Sequence, residues 1–339
     1  MIRTYSVVLL ATLPLTGLVR AESKSLPVRD GRVTVAATEQ EVRVAPRFRL
    51  LTDPFDYREE ATPEVSKRVS ISKITFPSPV KSASDQNNTV HCEYYRPKSD
   101  KPVPAVIVLH ILGGDFPLAR VFANMFAEHG VAALFLKMPY YGERRDPQLS
   151  RRMISEDPRE TLEGMTQAVL DIRRATAWLA HRDEIDDNRL GIFGISLGGI
   201  TGALAATAEP RLQNVCLLLA GGDLVTVAKE SPELEKIRRK WVATGGSQDE
   251  FLDALKEIDP VKYGENVRGR RILMLNATKD EVVPRACTDK LWNAFGKPEL
   301  VWYDGTHYSV IRHLLDALNR SAVFFEQSPD GTKLQNQSP

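Results

Sequence analysis

Two textures divide the chain. Residues 22–68 are polar, with scattered prolines and weak periodicity, which predicts an N-terminal arm or linker. From Val69 onward the pattern sharpens. Residues 69–76 and 89–96 alternate apolar and polar positions around a polar turn at 82–88, which predicts an antiparallel pair at a sheet edge. Beyond Pro104 the runs at 105–109, 131–136, 190–193, 215–219, 272–275 and 300–303 are short and mostly apolar, as in strands buried on both faces. Between them lie helix-like stretches at 118–129, 160–181, 197–208, 284–295 and 309–326. In the second of these, Leu162, Met165, Val169, Ile172, Ala175 and Leu179 recur at helical spacing. Strand–helix alternation of this kind predicts an α/β fold, a mainly parallel sheet with helices on both faces. Residues 222–263 break the alternation between the fourth and fifth buried strands. They carry helix-like stretches and no convincing strand, and read as a small helical excursion over the sheet.

The chain's ends read differently from its core. Arg3 is the only charge ahead of an apolar run at 7–19, which is too short for a membrane span of about 20 residues. Pro14 and Gly17 interrupt it, and Val19-Arg20-Ala21 offers a signal-peptidase site. The expectation is a secretory signal at 1–21, hence export to the periplasm or medium with no stable membrane insertion after cleavage; an uncleaved N-terminal anchor is the alternative. Residues 328–339 read as a disordered tail beyond a domain spanning 69–327.

Composition narrows the choice of function. The 339 residues are 42% hydrophobic and 26% charged, with a formal net charge of +1. No global field is available to attract nucleic acid. The short basic clusters at Arg144-Arg145, Arg151-Arg152 and 268–271 read as solvated surface, so no nucleic-acid partner is expected. Three cysteines, Cys92, Cys216 and Cys287, cannot form a complete disulfide framework. Cys216 lies in an apolar run and reads as a buried small hydrophobe. No Cys/His spacing resembles a zinc site, so neither a metal nor an organic cofactor is implied.

The chemistry concentrates in Gly194-Ile195-Ser196-Leu197-Gly198. An apolar strand enters it, and a helix rich in small residues (Gly199, Gly202, Ala203, Ala205, Ala206) leaves it. A serine held on a sharp strand-to-helix turn needs flanking residues without side chains, because a Cβ there would strike the neighbouring helix or strand. The helix N-terminus adds partial positive charge near the serine.

On these residues the chain resembles the α/β-hydrolase fold superfamily, and within it the dienelactone-hydrolase-like and acyl-esterase-like branches, over residues 69–326. The resemblance implies an acid and then a histidine, in that order, after the nucleophile Ser196. The acid falls at Asp280, in the loop Ala277-Thr278-Lys279-Asp280-Glu281 after the strand at 272–275; its neighbour Glu281 and Asp223, which follows the preceding strand, are rivals. The histidine falls at His307, in Asp304-Gly305-Thr306-His307-Tyr308 between the last strand and the last helix. Of the other five histidines, His91 lies in an edge strand, His129 and His181 at helix ends and His313 inside the final helix. His110 reads as a loop-fixing residue. The oxyanion hole is implied at the backbone N–H of Leu197 and at a second N–H in His110-Ile111-Leu112-Gly113-Gly114. Ile111 is the first choice there and Leu112 the alternative, since Ile111 stands where the superfamily commonly has glycine.

Tyr140 and Tyr141, in the loop after the strand at 131–136, and Trp241, in the 222–263 segment, are candidate substrate-lining residues. For the two tyrosines, packing of their own loop competes with that role. The implied reaction is acyl transfer from a soluble small-molecule ester to water through a covalent acyl-enzyme. The charge of the 222–263 segment argues for a short acyl group under a partial cap rather than an oil surface. A peptidase or other acyl hydrolase with the same triad, and a non-catalytic binding module on the same scaffold, are the competing readings. The complete set Ser196, Asp280 and His307 argues against the last.

Overall fold

The apolar runs pair into one sheet. In the computed structural model, which describes residues 26–327 apart from 36–38, 51, 65 and 115, ten strands lie in the order β1-β2-β3-β4-β6-β5-β7-β8-β9-β10. The strands are β1 (Val28–Val33), β2 (Phe55–Ala61), β3 (Val69–Pro77), β4 (Thr89–Pro97), β5 (Val103–Leu109), β6 (Ala132–Leu136), β7 (Ile185–Ile195), β8 (Asn214–Leu218), β9 (Arg271–Ala277) and β10 (Glu299–Tyr303). The six continuous apolar runs become β5 to β10, and these pair in parallel throughout. Every residue of β5, β6 and β8 is buried, as expected of strands covered on both faces.

The alternating pair, β3 and β4, is antiparallel, with Val69 opposite Pro97 and Pro77 opposite Thr89. It is not the edge. The polar stretch at 22–68, expected to be an arm or linker, supplies β1 and β2, which extend the sheet antiparallel beyond β3. Their burial shows why they escaped notice. β2 buries only Phe55 fully and β1 only Val33, so a half-exposed edge ribbon carries too few apolar positions to set a period.

Among the described residues, eight α-helices follow from the remaining pattern: α1 (Phe116–Glu128), α2 (Pro158–Ala180), α3 (Leu197–Ala208), α4 (Leu224–Glu230), α5 (Pro232–Ala243), α6 (Gln248–Glu257), α7 (Arg285–Ala294) and α8 (Leu314–Glu326). Two buried clusters fill the faces of the sheet. One gathers α1 and α8, through Phe122, Phe126, Leu318 and Phe325. The other gathers α2 and α3, through Met165, Val169, Trp178 and Leu204. The last stretch is not one helix. A 3₁₀ turn at Ser309–His313 precedes α8, so His313 stands at the junction, its ring stacked on Tyr303. The segment at 222–263 folds as α4, α5 and α6 with the start of a 3₁₀ stretch, Pro260–Val267, between β8 and β9.

Two basic clusters depart from the surface reading: in 268–271, the half-buried Arg270 donates to the carbonyls of Ala206, Glu209, Leu212 and Asn266, and at 144–145 the departure is complete. Arg144 is wholly buried, 2.7 Å from the equally buried Asp171 of α2, and donates to the carbonyls of Lys137 and Asn87. Its neighbour Arg145 is exposed. The three cysteines are buried free thiols. The expected signal at 1–21 and the expected tail at 328–339 lie outside the described residues.

Candidate active site

β7 runs straight into α3, and Ser196 occupies the turn. Its backbone sits at φ 55° and ψ −115°, a conformation that side-chain-bearing residues rarely adopt and that marks a strained functional turn. The flanking glycines are sterically required. A Cβ on Gly194 would lie 2.1 Å from the carbonyl oxygen of Gly198, and one on Gly198 would lie 2.6 Å from the carbonyl oxygen of His110. Gly199 is similarly pressed against the carbonyl oxygen of Leu218. The Ser196 N–H donates to that same carbonyl at 2.8 Å, which fixes the turn to β8. As the first residue of α3, Leu197 presents an N–H with no intrahelical acceptor.

Three side chains from three loops meet here. Ser196 Oγ lies 2.9 Å from His307 Nε2. His307 Nδ1 lies 2.9 and 2.8 Å from the two carboxylate oxygens of Asp280. A carboxylate only accepts, so Nδ1 carries the ring proton and Nε2 keeps its lone pair for the serine hydroxyl. Asp280 follows β9 and is held by the N–H groups of Val282 and Val283, which both donate to Oδ1. His307 follows β10. Its own N–H donates to Glu281, and Thr306 and Ser309 clasp the loop with reciprocal bonds. Asp280 and His307 are each only 8% exposed, so their contact is largely shielded from water.

The rival acid is elsewhere engaged. Asp223 caps α4 by accepting from the Thr226 N–H and hydroxyl, and it pairs with Lys290. Glu281 supports the histidine loop through its backbone rather than facing the ring.

The loop after β5 is clamped from behind by His110. Met138 donates its N–H to His110 Nε2 at 3.1 Å, and Nδ1 in turn donates to the carbonyl of Ile111 at 2.8 Å. The same carbonyl accepts from the N–H of Gly114. Burial pushes the imidazole of His110 down to about 4, so it stays neutral. The His110 ring packs edge-on against Phe116 and Tyr141.

Two cavities meet at Ser196. One, of about 90 Å³, lies under α4, α5 and α6 and is lined by Leu224, Val227, Ile237, Phe251 and Leu255 among others, with Leu197 at its floor. The other, of about 370 Å³, is lined by Ile111, Phe122, Leu219, Tyr308 and Ile311, and it contains His307. Leu112 borders both.

The sequence-expected lining residues fare unevenly. Tyr140, Tyr141 and Trp241 line neither cavity. Tyr140 is held at φ 64° with its N–H bonded to Asn87, and Tyr141 packs on His110, so both serve their loop. Trp241 shares a face of α5 with Leu234 and Ile237 but lies a turn nearer its C-terminus, with its indole N–H donating to the Ser247 carbonyl and its ring under Arg159. The cap residues that do reach the cavity, such as Ile237 and Leu234, precede Trp241 by four and seven positions. Helical spacing puts all three on one face, and the two nearer the start of α5 are the ones that line the cavity.

Comparison with known proteins agrees with this fold. The model of the family described as alpha/beta hydrolase domain containing 18 matches residues 62–227, and that of the prolyl oligopeptidase family matches residues 163–308. Among curated proteins, the esterase YjfP of Escherichia coli (strain K12) is 24% identical over 242 residues, covering 68% of this chain and 91% of that protein. The uncharacterized protein Rv2627c of Mycobacterium tuberculosis is 29% identical over 167 residues, covering 45% of this chain, and the match spans only 36% of that relative's length. Among solved structures, the acetyl xylan esterase from Paenibacillus sp. R4 superposes with a TM-score of 0.62 at 18% identity, covering 78% of this chain and 87% of that one. The chain belongs to the α/β-hydrolase superfamily.

Proposed function

We propose that the protein is a serine hydrolase that cleaves uncharged carboxylic esters of soluble small molecules through an acyl-enzyme. The observation that carries this reading is the continuous relay from Ser196 Oγ through His307 to Asp280 at a strained strand-to-helix turn. In the proposed cycle, Ser196 Oγ attacks the ester carbonyl carbon while His307 Nε2 takes its proton. Charge develops on the carbonyl oxygen, where the Leu197 N–H and a second N–H from the His110-clamped turn at Ile111 and Leu112 receive it. Asp280 stabilises the imidazolium. The tetrahedral intermediate collapses, the C–O bond to the alcohol breaks, and His307 returns its proton to the departing oxygen. Water then attacks the acyl-enzyme under the same base, releasing the acid and regenerating the serine.

A peptidase reading has one observation in its favour, the match of residues 163–308 to the prolyl oligopeptidase family. The cavities favour the ester. Apart from His307, none of the described residues lining them is an acid, an arginine, a lysine or a histidine, so among these a peptide terminus finds no counter-ion. A panel of p-nitrophenyl esters of graded acyl length, run beside peptide p-nitroanilides on the wild type and Ser196→Ala, tests the proposal. Ester turnover that disappears with Ser196 supports it, and Ser196-dependent cleavage of the anilides alone refutes it in favour of the peptidase.

A further inference from the structure

The two cavities that meet at Ser196 are not equivalent with respect to the base. The departing alcohol oxygen takes its proton from His307 Nε2, so it must lie on the side of His307. His307 lines the 370 Å³ cleft and not the 90 Å³ cavity under the cap. The carbonyl oxygen is committed to the backbone N–H groups. The remaining substituent of the carbonyl carbon, the acyl chain, is therefore directed under the cap. That space is small: an apolar cavity of roughly 150 Å³ is known to take a benzene ring, so about 90 Å³ suits a short chain.

The cap cavity is not uniformly apolar. Four hydroxyl side chains line it, on Ser155, Thr161, Ser196 and Ser231. Three are engaged: Ser155 donates to Glu160, Thr161 bonds the backbone of Ser155, and Ser196 faces His307. Ser231 is the exception. It joins α4 to α5, is wholly buried, and its Oγ has no hydrogen-bond partner. It occupies the N-cap position of α5, where a serine usually bonds the first free N–H groups, yet its side chain makes no such bond. Burying a hydroxyl without a partner is costly, and native proteins rarely retain one without a use for it. Rotation about χ1 gives this hydroxyl three staggered directions in which to meet a group arriving in the cavity.

We infer that the cap cavity is the acyl subsite and that Ser231 is its specificity-determining residue, selecting short acyl chains that carry an ether, hydroxyl or keto oxygen. The inference rests on the acyl-transfer reading above and adds to it the class of acid released.

The test compares two nearly isosteric acyl groups, p-nitrophenyl methoxyacetate and p-nitrophenyl butyrate, on the wild type and Ser231→Ala. The ratio of their kcat/KM values is measured for each protein, and the change between proteins cancels the intrinsic reactivity of the esters. Loss of one neutral hydrogen bond predicts a fall in the methoxyacetate preference of roughly 2- to 10-fold in the variant. A second pair, 2-methoxyethyl acetate and butyl acetate, moves the same oxygen to the alcohol; its ratio should not change. An unchanged acyl ratio, or a change confined to the alcohol pair, overturns the inference. Ser196→Ala separates this failure from a deeper one. If butyrate hydrolysis survives in Ser196→Ala, the acyl-transfer reading itself falls; if it is lost while the Ser231→Ala ratios stay flat, only the role of Ser231 does.

Discussion

Met138 donates its backbone N–H to Nε2 of His110, and that bond commits the His110 imidazole to the neutral form with its proton on Nδ1, facing Ile111. His110 is 1% exposed, and burial lowers its pKa from 6.5 to about 4. Because the folded state resists protonation, the unfolded chain binds more protons between these values. The contribution is therefore complete above pH 6.5 and is lost as the pH falls toward 4, by up to roughly 3 kcal/mol. Urea midpoints measured from pH 4 to 8 should show this decline in the wild type and a flatter acid limb in His110→Asn, which has no ring to protonate. Parallel profiles would show that His110 is not held neutral.

The two candidate acids make opposite predictions. Asp280→Asn leaves His307 without an acceptor that fixes its tautomer, and kcat should fall by about 10⁴ with the fold retained. Asp223→Asn weakens a helix cap and an ion pair with Lys290. Its effect should be a loss of at most about 1 kcal/mol in stability, with kcat within about twofold of wild type. Steady-state kinetics and thermal melts on both variants check the assignment, and a reversed pattern would move the acid to the end of β8.

Gly198 tests the link between the serine turn and the loop after β5. An added methyl would press on the carbonyl oxygens of both His110 and Leu109 and displace the clamped loop from Leu197. Gly198→Ala should therefore lower kcat by roughly 10²-fold, the usual cost of one misplaced oxyanion donor, with a smaller change in KM. Wild-type kcat in this variant would mean that the loop after β5 takes no part in stabilising the oxyanion.

Much of this architecture was legible in the sequence because its signals are strict. The fully buried strands β5, β6 and β8 must be almost wholly apolar, and Ser196 needs Gly194 and Gly198 for steric reasons that leave a visible pattern. The order of Ser196, Asp280 and His307 is the one that the resemblance to the α/β-hydrolase superfamily implies. Other features had no such signature. β1 and β2 are exposed edge strands with few apolar residues. Arg144 looks like any surface arginine, because its partner Asp171 lies 27 residues away and only the fold brings them together. Trp241 shares its helical face with Leu234 and Ile237, so spacing alone does not show that its indole turns to the carbonyl of Ser247.

Arg144 and Asp171 carry a stability prediction of their own. Both side chains have no exposed surface, and Arg144 also bonds two backbone carbonyls under the loop that bears Met138. Removing the guanidinium leaves a buried carboxylate without its counter-ion, so Arg144→Met should cost about 3–5 kcal/mol. Arg145→Met, at an exposed neighbour, should cost within about 0.5 kcal/mol. Denaturant unfolding of the two variants checks the contrast, and near-equal midpoints would contradict the buried pairing.

The central claim is that Ser196 is an activated nucleophile, and intact-protein mass spectrometry after treatment with a fluorophosphonate tests it most directly. The serine hydroxyl, deprotonated by His307, displaces fluoride from phosphorus and gains one phosphonyl group. The wild type should gain the mass of a single adduct, mapped by proteolysis to the peptide containing Ser196, and Ser196→Ala should gain none. An adduct of equal yield in Ser196→Ala, or a wild type that stays unlabelled while a known serine hydrolase in the same tube is labelled, would contradict the claim.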